Sequence, residues 1–343
     1  MQMHRPCFLW SKICYTILYN MMRQAILDFP KQFAFKPRIE RRRKVPGYRR
    51  FIVAGMGGSA LPGVLFAQEY PDIPITIHRN YGLPYIADKE LKKTLVVAVS
   101  YSGNTEEALD AFQTAIDRGI DVCVISVGGK LLLLAQQHGI PYIQLPDNGI
   151  QPRAAIGFIT MALAALLRRR DILKSLQQLA QTLRADEYES AGNRLAEQLL
   201  HKIPVVYASE RNSALAYIWK ITFNETSKIP AFCNVLPELN HNEMTGFDTH
   251  AGTRALTERF SFVMLQDADD HTRIKRRMEM TAKMLRDRTS RVEEISLEGA
   301  SRSFRVFSSV RAAEWTAYHL ARLYHVDPDA IPMVEEFKKL IAE

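Results

Sequence analysis

Six residues, Ser100-Tyr101-Ser102-Gly103-Asn104-Thr105, have the types and spacing of an anion cradle. They stand between an apolar run, 94–99, and a segment, 106–118, whose apolar periodicity and acidic first turn predict a helix. A buried strand that runs into a helix N-terminus presents backbone N–H groups and the positive end of the helix dipole to an anion. The hydroxyls of Ser100, Ser102 and Thr105 add neutral donors, and Gly103 lets the backbone approach what is bound. No Gly-Lys-Ser/Thr is present, so no lysine reaches toward a γ-phosphate, and a single phosphomonoester is the better fit. The plain alternative is a capped turn with solvated serines. A second glycine-rich stretch, Gly55-Met56-Gly57-Gly58-Ser59-Ala60, is G-x-G-G-x-A and not the G-x-G-x-x-G of a dinucleotide site. The strand after it runs into His78-Arg79 instead of an acidic residue. Its glycines, Gly58 among them, suit a substrate lying against the backbone, with Ser59 helping to hold it.

Loops of this kind need strands and helices to aim them, and the chain carries two α/β halves. In the first, residues 48–54, 75–78, 94–99, 121–126 and 142–145 read as strands, with helices over 60–69 and 106–118. Near-continuous apolar strands alternating with helices predict a parallel sheet covered on both faces. From 154 to about 201 the pattern is helical and strand-free, broken by Arg168-Arg169-Arg170-Asp171. A second series starts with a strand at 204–208 and continues with strands at 231–235, 260–265 and 292–295. Helices follow near 271–288 and 303–325, and a short one, 332–342, closes the chain. The expected fold class is therefore α/β, two doubly wound parallel-sheet subdomains over 22–165 and 202–343, joined by helices over 166–201. Residues 1–21 fit neither a signal peptide nor a folded element, because Ser11-Lys12 breaks the apolar stretch and no small-residue cleavage site follows. They are expected to be an extension ahead of a start at Met21 or Met22, where a helix with Ile26, Phe29 and Phe33 on related faces opens.

Composition narrows the class. The 343 residues are 47% hydrophobic and 24% charged, which excludes a disordered or collagen-like chain and suits two globular domains. No apolar run has the roughly 18–20 residues needed to span a bilayer, so no membrane partner is expected. The net charge of +8 is local: residues 1–50 hold 12 Lys/Arg against 2 Asp/Glu, much of it in Arg41-Arg42-Arg43-Lys44 and Arg49-Arg50. The remaining 33 basic and 35 acidic residues nearly balance, and no zinc finger, RNP or helix-turn-helix pattern accompanies the basic stretch, so no nucleic-acid partner is expected. Four cysteines, Cys7, Cys14, Cys123 and Cys233, form no C-x-x-C pair and suit a reducing cytoplasm. The nine histidines show neither H-x-x-x-H nor H-E-x-x-H, so no metal is expected.

With these residues in view, a resemblance becomes specific. Gly57-Gly58-Ser59 followed by Ser100-Tyr101-Ser102-Gly103-Asn104-Thr105 resembles the sugar isomerase (SIS) domain. Asn224-Glu225-Thr226-Ser227-Lys228, Pro237-Glu238-Leu239-Asn240-His241-Asn242-Glu243 and Gln151-Pro152-Arg153-Ala154-Ala155 are similar to segments of the bifunctional phosphoglucose/phosphomannose isomerases, a branch of the phosphoglucose isomerase superfamily. The resemblance covers roughly residues 22–343. It implies two SIS-type subdomains and a cofactor-free isomerase that interconverts glucose 6-phosphate, and with it mannose 6-phosphate, with fructose 6-phosphate through a cis-enediolate. Gly58, Ser59, Ser100, Ser102 and Thr105 then hold the substrate phosphate.

The resemblance also implies roles at the other end of the sugar. Glu225 is the base that moves a proton between C1 and C2, a task a carboxylate performs when its pKa lies near the working range. From the residues alone, a helix-end glutamate paired with Lys228 stays open. His241 opens the sugar ring, and in the wider superfamily this histidine reaches the site from the neighbouring subunit, which implies a homodimer. Arg153 stabilises the enediolate without losing its proton. A lysine of the closing helix assists at the ring oxygen; of Lys338 and Lys339 we favour Lys338. Glu238 and Glu243 also border the site loop, either supporting the residues that touch substrate or serving the scaffold alone. Dual-specificity members carry a threonine before the final helix, whereas this stretch reads Asp327-Pro328-Asp329-Ala330-Ile331-Pro332, which leaves glucose 6-phosphate the firmer of the two aldose substrates. A reading from another class is a non-catalytic SIS module that senses a phosphosugar, which needs the phosphate loop but neither Glu225 nor His241. The isomerase half of an amidotransferase is disfavoured, since no glutaminase domain is present.

Overall fold

Strands buried on both faces can be apolar throughout, and the six residues of β3 (Thr94–Val99) are all buried. In the computed structural model, which describes residues 19, 21–41, 47–288 and 290–341, this strand lies at the centre of a five-stranded sheet. Its order is β2-β1-β3-β4-β5, with β1 at Arg50–Ala54, β2 at Ile75–His78, β4 at Asp121–Ser126 and β5 at Tyr142–Gln144. Every pairing is parallel; Ala98 stands opposite Ala54 on one side and Val124 on the other. Helix Glu106–Asp117 lays Ala108, Phe112 and Ala115 on Ile52, Val96, Ala98 and Val124, and Leu131 and Ala135 of helix Gly129–Gln137 complete that layer. The helix expected from residue 60 begins earlier, at Gly57, because its first turn packs backbone to backbone on the Pro152–Ala154 turn.

The second sheet has four parallel strands in the order β7-β6-β8-β9, with β6 at Ile203–Ser209, β7 at Phe232–Leu236, β8 at Phe260–Asp267 and β9 at Arg291–Leu297. Val205, Tyr207, Phe262, Met264 and Val292 meet Met278, Ala282 and Leu285 of helix Thr272–Asp287 in its core. Helix Arg302–Leu323 has 15 of its 22 residues buried, so it is an internal element and not a surface one. A buried ion pair, Arg311 with Glu314, lies along it, and burial pushes the Arg311 guanidinium below its ordinary pKa.

Residues 28–183 form one compact unit, and residues up to Leu27 join 184–343 in the other. The helices expected to link two halves over 166–201 are instead divided between the units. Helix Arg170–Thr182 packs on the 3₁₀ turn Phe29–Ala34 in the first, while helix Glu189–Leu199 packs on Arg302–Leu323 in the second. Each has its own apolar stripe, Ile172/Leu176/Leu179 and Leu195/Ala196/Leu199, and burying that stripe fixes its allegiance. The extension expected over residues 1–21 lies outside the described residues except for Tyr19 and Met21. Tyr19 donates its hydroxyl to the Val326 carbonyl at 2.8 Å and packs edge-on against Tyr318. Met22 and Ile26 of helix 21–28 are buried against Trp315 and Tyr318. Cys7, Cys14 and the basic residues 42–44 also lie outside the described residues.

Candidate active site

The residues expected to hold a phosphate all lie within the first unit. Ser100 follows β3 directly and is fully buried. Its hydroxyl accepts from the Gly103 amide at 3.0 Å and the Thr105 amide at 3.4 Å, and lies 2.8 Å from the Thr105 hydroxyl. One serine thereby closes the turn from inside. Ser102, at the mouth, is exposed, and Thr105 is half-buried. Buried Ser59 accepts from the Tyr101 amide at 3.0 Å, which ties the loop after β1 to the loop after β3.

Two glycines in this region are sterically required. Gly103 has φ +73°, and a Cβ there would sit 1.8 Å from the Gly128 carbonyl oxygen. A Cβ on Gly58 would lie 2.6 Å from the Arg153 backbone, which is how Arg153, 7% exposed, is brought to this loop cluster. The turn that carries it is braced by Gln32, whose amide donates to the Ala154 carbonyl at 2.7 Å and accepts from the Phe158 amide at 3.1 Å. The loop after β4 is locked in as well: the Leu131 amide donates to the Gly103 carbonyl at 2.9 Å and the Lys130 amide to Asn104 Oδ1 at 3.1 Å.

What remains open is the start of helix Glu106–Asp117. Thr105 is its N-cap, yet no side-chain hydrogen bond caps the first turn, because the Thr105 hydroxyl faces Ser100. A helix leaves its first N–H groups without intrahelical acceptors, so an oxyanion is their natural partner. With Ser102 at the rim, the arrangement is suited to one phosphate.

The other candidates belong to the second unit. Glu225 lies in a single π-turn, Phe223–Ser227, which ends helix Ser213–Thr222; such turns are frequent at functional sites. Lys228 follows in the left-handed region at φ 58°, and its ammonium donates to the Glu225 carbonyl oxygen. Ser227 donates to the Ala317 carbonyl at 3.0 Å, which fastens the π-turn to helix Arg302–Leu323, while Glu225 is half-buried. His241 ends the 3₁₀ turn Glu238–His241, after a cis Leu236–Pro237 peptide, and is exposed. Its neighbours are pinned: Leu239 is fully buried, and Asn240 donates to Thr281 Oγ1 at 2.8 Å. Lys338 and Lys339 are exposed on helix Pro332–Ile341, which buries none of its residues. Glu225, His241 and Lys338 thus stand on three separate elements.

Gln32, Ser126 and Tyr207 escaped the sequence reading. Ser126 donates to the Gly128 carbonyl at 2.9 Å and shapes the turn that locks Gly103; its place at a strand end, before Gly128-Gly129, was the available signal. Gln32 and Tyr207 carry none, since a glutamine beside a helix end and a tyrosine in an apolar strand read as ordinary.

Known proteins share this organisation. A family described as the bacterial phospho-glucose isomerase C-terminal SIS domain matches residues 189–341. A bifunctional phosphoglucose/phosphomannose isomerase of Caldicellulosiruptor bescii is 33% identical, over 95% of this chain and 98% of the relative. One from Thermoplasma acidophilum is 34% identical over 86% of this chain and 90% of its own length. Among solved structures, the C-terminal domain of the glucosamine-fructose-6-phosphate aminotransferase of Francisella tularensis superposes with a TM-score of 0.65. At 14% identity, over 90% of this chain and 98% of that one, it shares the fold.

Proposed function

The chain belongs to the family of bifunctional phosphoglucose/phosphomannose isomerases, and on that premise we propose how its residues divide the reaction. It is an aldose–ketose isomerase that interconverts glucose 6-phosphate and mannose 6-phosphate with fructose 6-phosphate. The phosphate binds at Gly58, Ser59, Ser102 and Thr105, beside the uncapped first turn of helix Glu106–Asp117, and of the expected residues buried Ser100 instead holds that turn closed from behind. That uncapped turn is the observation that carries the phosphate end of the reading.

His241 opens the ring by moving a proton between the C1 hydroxyl and the ring oxygen, with Lys338 assisting at that oxygen. The Glu225 carboxylate then takes the proton from C2 of the open-chain aldose, and the C–H electron pair moves into a C1–C2 double bond as O1 becomes negative. Arg153 stabilises that enediolate by its fixed positive charge. A proton passes from O2 to O1, the Glu225 carboxyl returns its proton to C1, and C2 becomes the carbonyl of the ketose. No metal enters these steps. We assign His241 to the site of a neighbouring subunit in a homodimer, by likeness to the wider superfamily. A cytoplasmic setting suits the free thiols of Cys123 and Cys233; burial pushes the Cys123 thiol up to about 12, so it stays protonated and inert.

A coupled assay on glucose 6-phosphate and, separately, on mannose 6-phosphate, with EDTA present, tests the reading. Glu225→Gln is expected to lower kcat by about 10²- to 10⁴-fold, the usual contribution of a general base, with KM within about twofold. Undiminished turnover in that variant removes Glu225 from the role. A parent protein that binds the phosphosugars without turning them over is the sensor instead.

A further inference from the structure

We propose that Glu243 is a positioning residue for His241, anchored to the second sheet by Tyr207 and Asn234. The inference rests on the ring-opening role assigned to His241 above.

Tyr207 lies on β6 and is 1% exposed. A phenol so deep in a core needs an acceptor, and its hydroxyl donates to Glu243 Oε1 at 2.6 Å. Asn234, its register partner across the β6–β7 pairing, donates its side-chain amide to the other oxygen, Oε2. Each carboxylate oxygen therefore has its own neutral donor, from adjacent strands. Burial, and then the bond to Glu243, raise the Tyr207 phenol above its ordinary pKa, so it remains a donor. From the anchored Glu243 the chain runs back to His241 through one residue. Asn242 Oδ1 accepts from the Glu243 amide at 2.6 Å, and the Asn242 amide donates to Glu238 Oε1 at 2.7 Å. The exposed imidazole thus stands on a turn whose far side is held by a charge.

A turn that only had to fold would not need this. Bringing a carboxylate against a buried phenol incurs desolvation that apolar side chains of similar volume avoid. What the polar arrangement adds is a fixed direction: the two oxygens are aimed at two strands, and the backbone of residues 241–243 follows. Phe247, one turn on, packs edge-on against Phe262 with ring centroids 4.8 Å apart, so the segment is fastened at both ends.

The experiment measures kcat and KM for glucose 6-phosphate in Tyr207→Phe, alone and combined with His241→Asn, on the full chain, with thermal melting alongside. His241→Asn is expected to retain only the slow turnover of sugar whose ring opens unaided. Tyr207→Phe alone is expected to lower kcat by about 10- to 100-fold, the effect of misplacing a reacting group by about an ångström, with KM within twofold. In the His241→Asn background it is expected to change kcat by less than about twofold, because the group it positions is gone. Glu243→Gln, which keeps an acceptor for Tyr207 but turns an amide toward Asn234, supplies the same comparison if Tyr207→Phe does not fold. Equal losses in both backgrounds, an unchanged kcat in Tyr207→Phe, or failure of both variants to fold would each overturn the inference. Full turnover in His241→Asn alone would instead sink the role of His241, a different result.

Discussion

Residues 100–105 and 267–272 occupy the same place in two sheets. Each stands at the end of the strand next to the sheet's first strand in chain order, β3 beside β1 and β8 beside β6, and each leads into a helix. The first four strands of the two sheets even share an order, β2-β1-β3-β4 and β7-β6-β8-β9. Their contents are opposite. The first turn is built of hydroxyls and glycine, and its helix start is uncapped. In the second, Asp267, whose side chain is fully buried, accepts from Arg302 at 2.6 Å, from Asn212 at 3.3 Å and from the Asp269 amide at 3.0 Å. Asp270 accepts from Ser209 at 2.7 Å, and burial, with Asp267 adding to it, raises its carboxyl above the ordinary range. The helix that follows is capped by its own residue, His271, whose Nδ1 accepts from the Arg273 amide at 3.1 Å. A strand-to-helix turn is open to an anion only when neutral donors line it and the helix start is left unmet. Filled with carboxylates and their arginine, the same turn repels anions and becomes a brace.

The contrast can be broken in three places. Gly103→Ala puts a Cβ 1.8 Å from the Gly128 oxygen at a positive φ, and both loops must move. KM for glucose 6-phosphate is expected to rise more than about tenfold, and the left-handed backbone alone costs the fold about 1 kcal/mol, read as a lower melting temperature. An unaltered KM would show that the turn does not hold the substrate. Asp267→Ala removes the carboxylate that meets Arg302, Asn212 and the Asp269 amide and should cost about 3–5 kcal/mol, the usual penalty for halving a buried pair, measured by urea unfolding. KM of the folded fraction should stay within twofold; a raised KM would mean that the second turn also serves the substrate. Ser102→Ala, at the exposed rim, is the mildest: KM is expected to rise about fivefold with no change in melting temperature. A loss of stability without a change in KM would make Ser102 part of the scaffold.

Much of this organisation is legible in residue order. Two inner strands, β3 and β4, have the limits expected of them, 94–99 and 121–126, because a parallel strand covered on both faces has no polar alternation to blur its limits. The strand-to-helix turn at 100–105 is legible for the same reason, since its serines and glycine come directly after a wholly apolar strand. The division of the chain into units is not. Helices 170–182 and 189–199 look alike in sequence, and only the partner of each stripe decides its unit. Helix 21–28 meets Trp315 and Tyr318 nearly three hundred residues later, a pairing no local pattern encodes. Nor is the π-turn around Glu225 or the Tyr207–Glu243 anchor, since both arise from contacts between distant segments.

The bond from the Leu131 amide to the Gly103 carbonyl makes two helices share one foundation. Neither turn can be lengthened, shortened or resequenced alone: a change after β4 is felt in the turn at 100–105. Under the phosphate role proposed above, variation in the stretch from Ser126 to Lys130 is a hidden means of tuning affinity, and grafting residues 100–105 onto another scaffold without that stretch would transplant the letters and leave the shape behind.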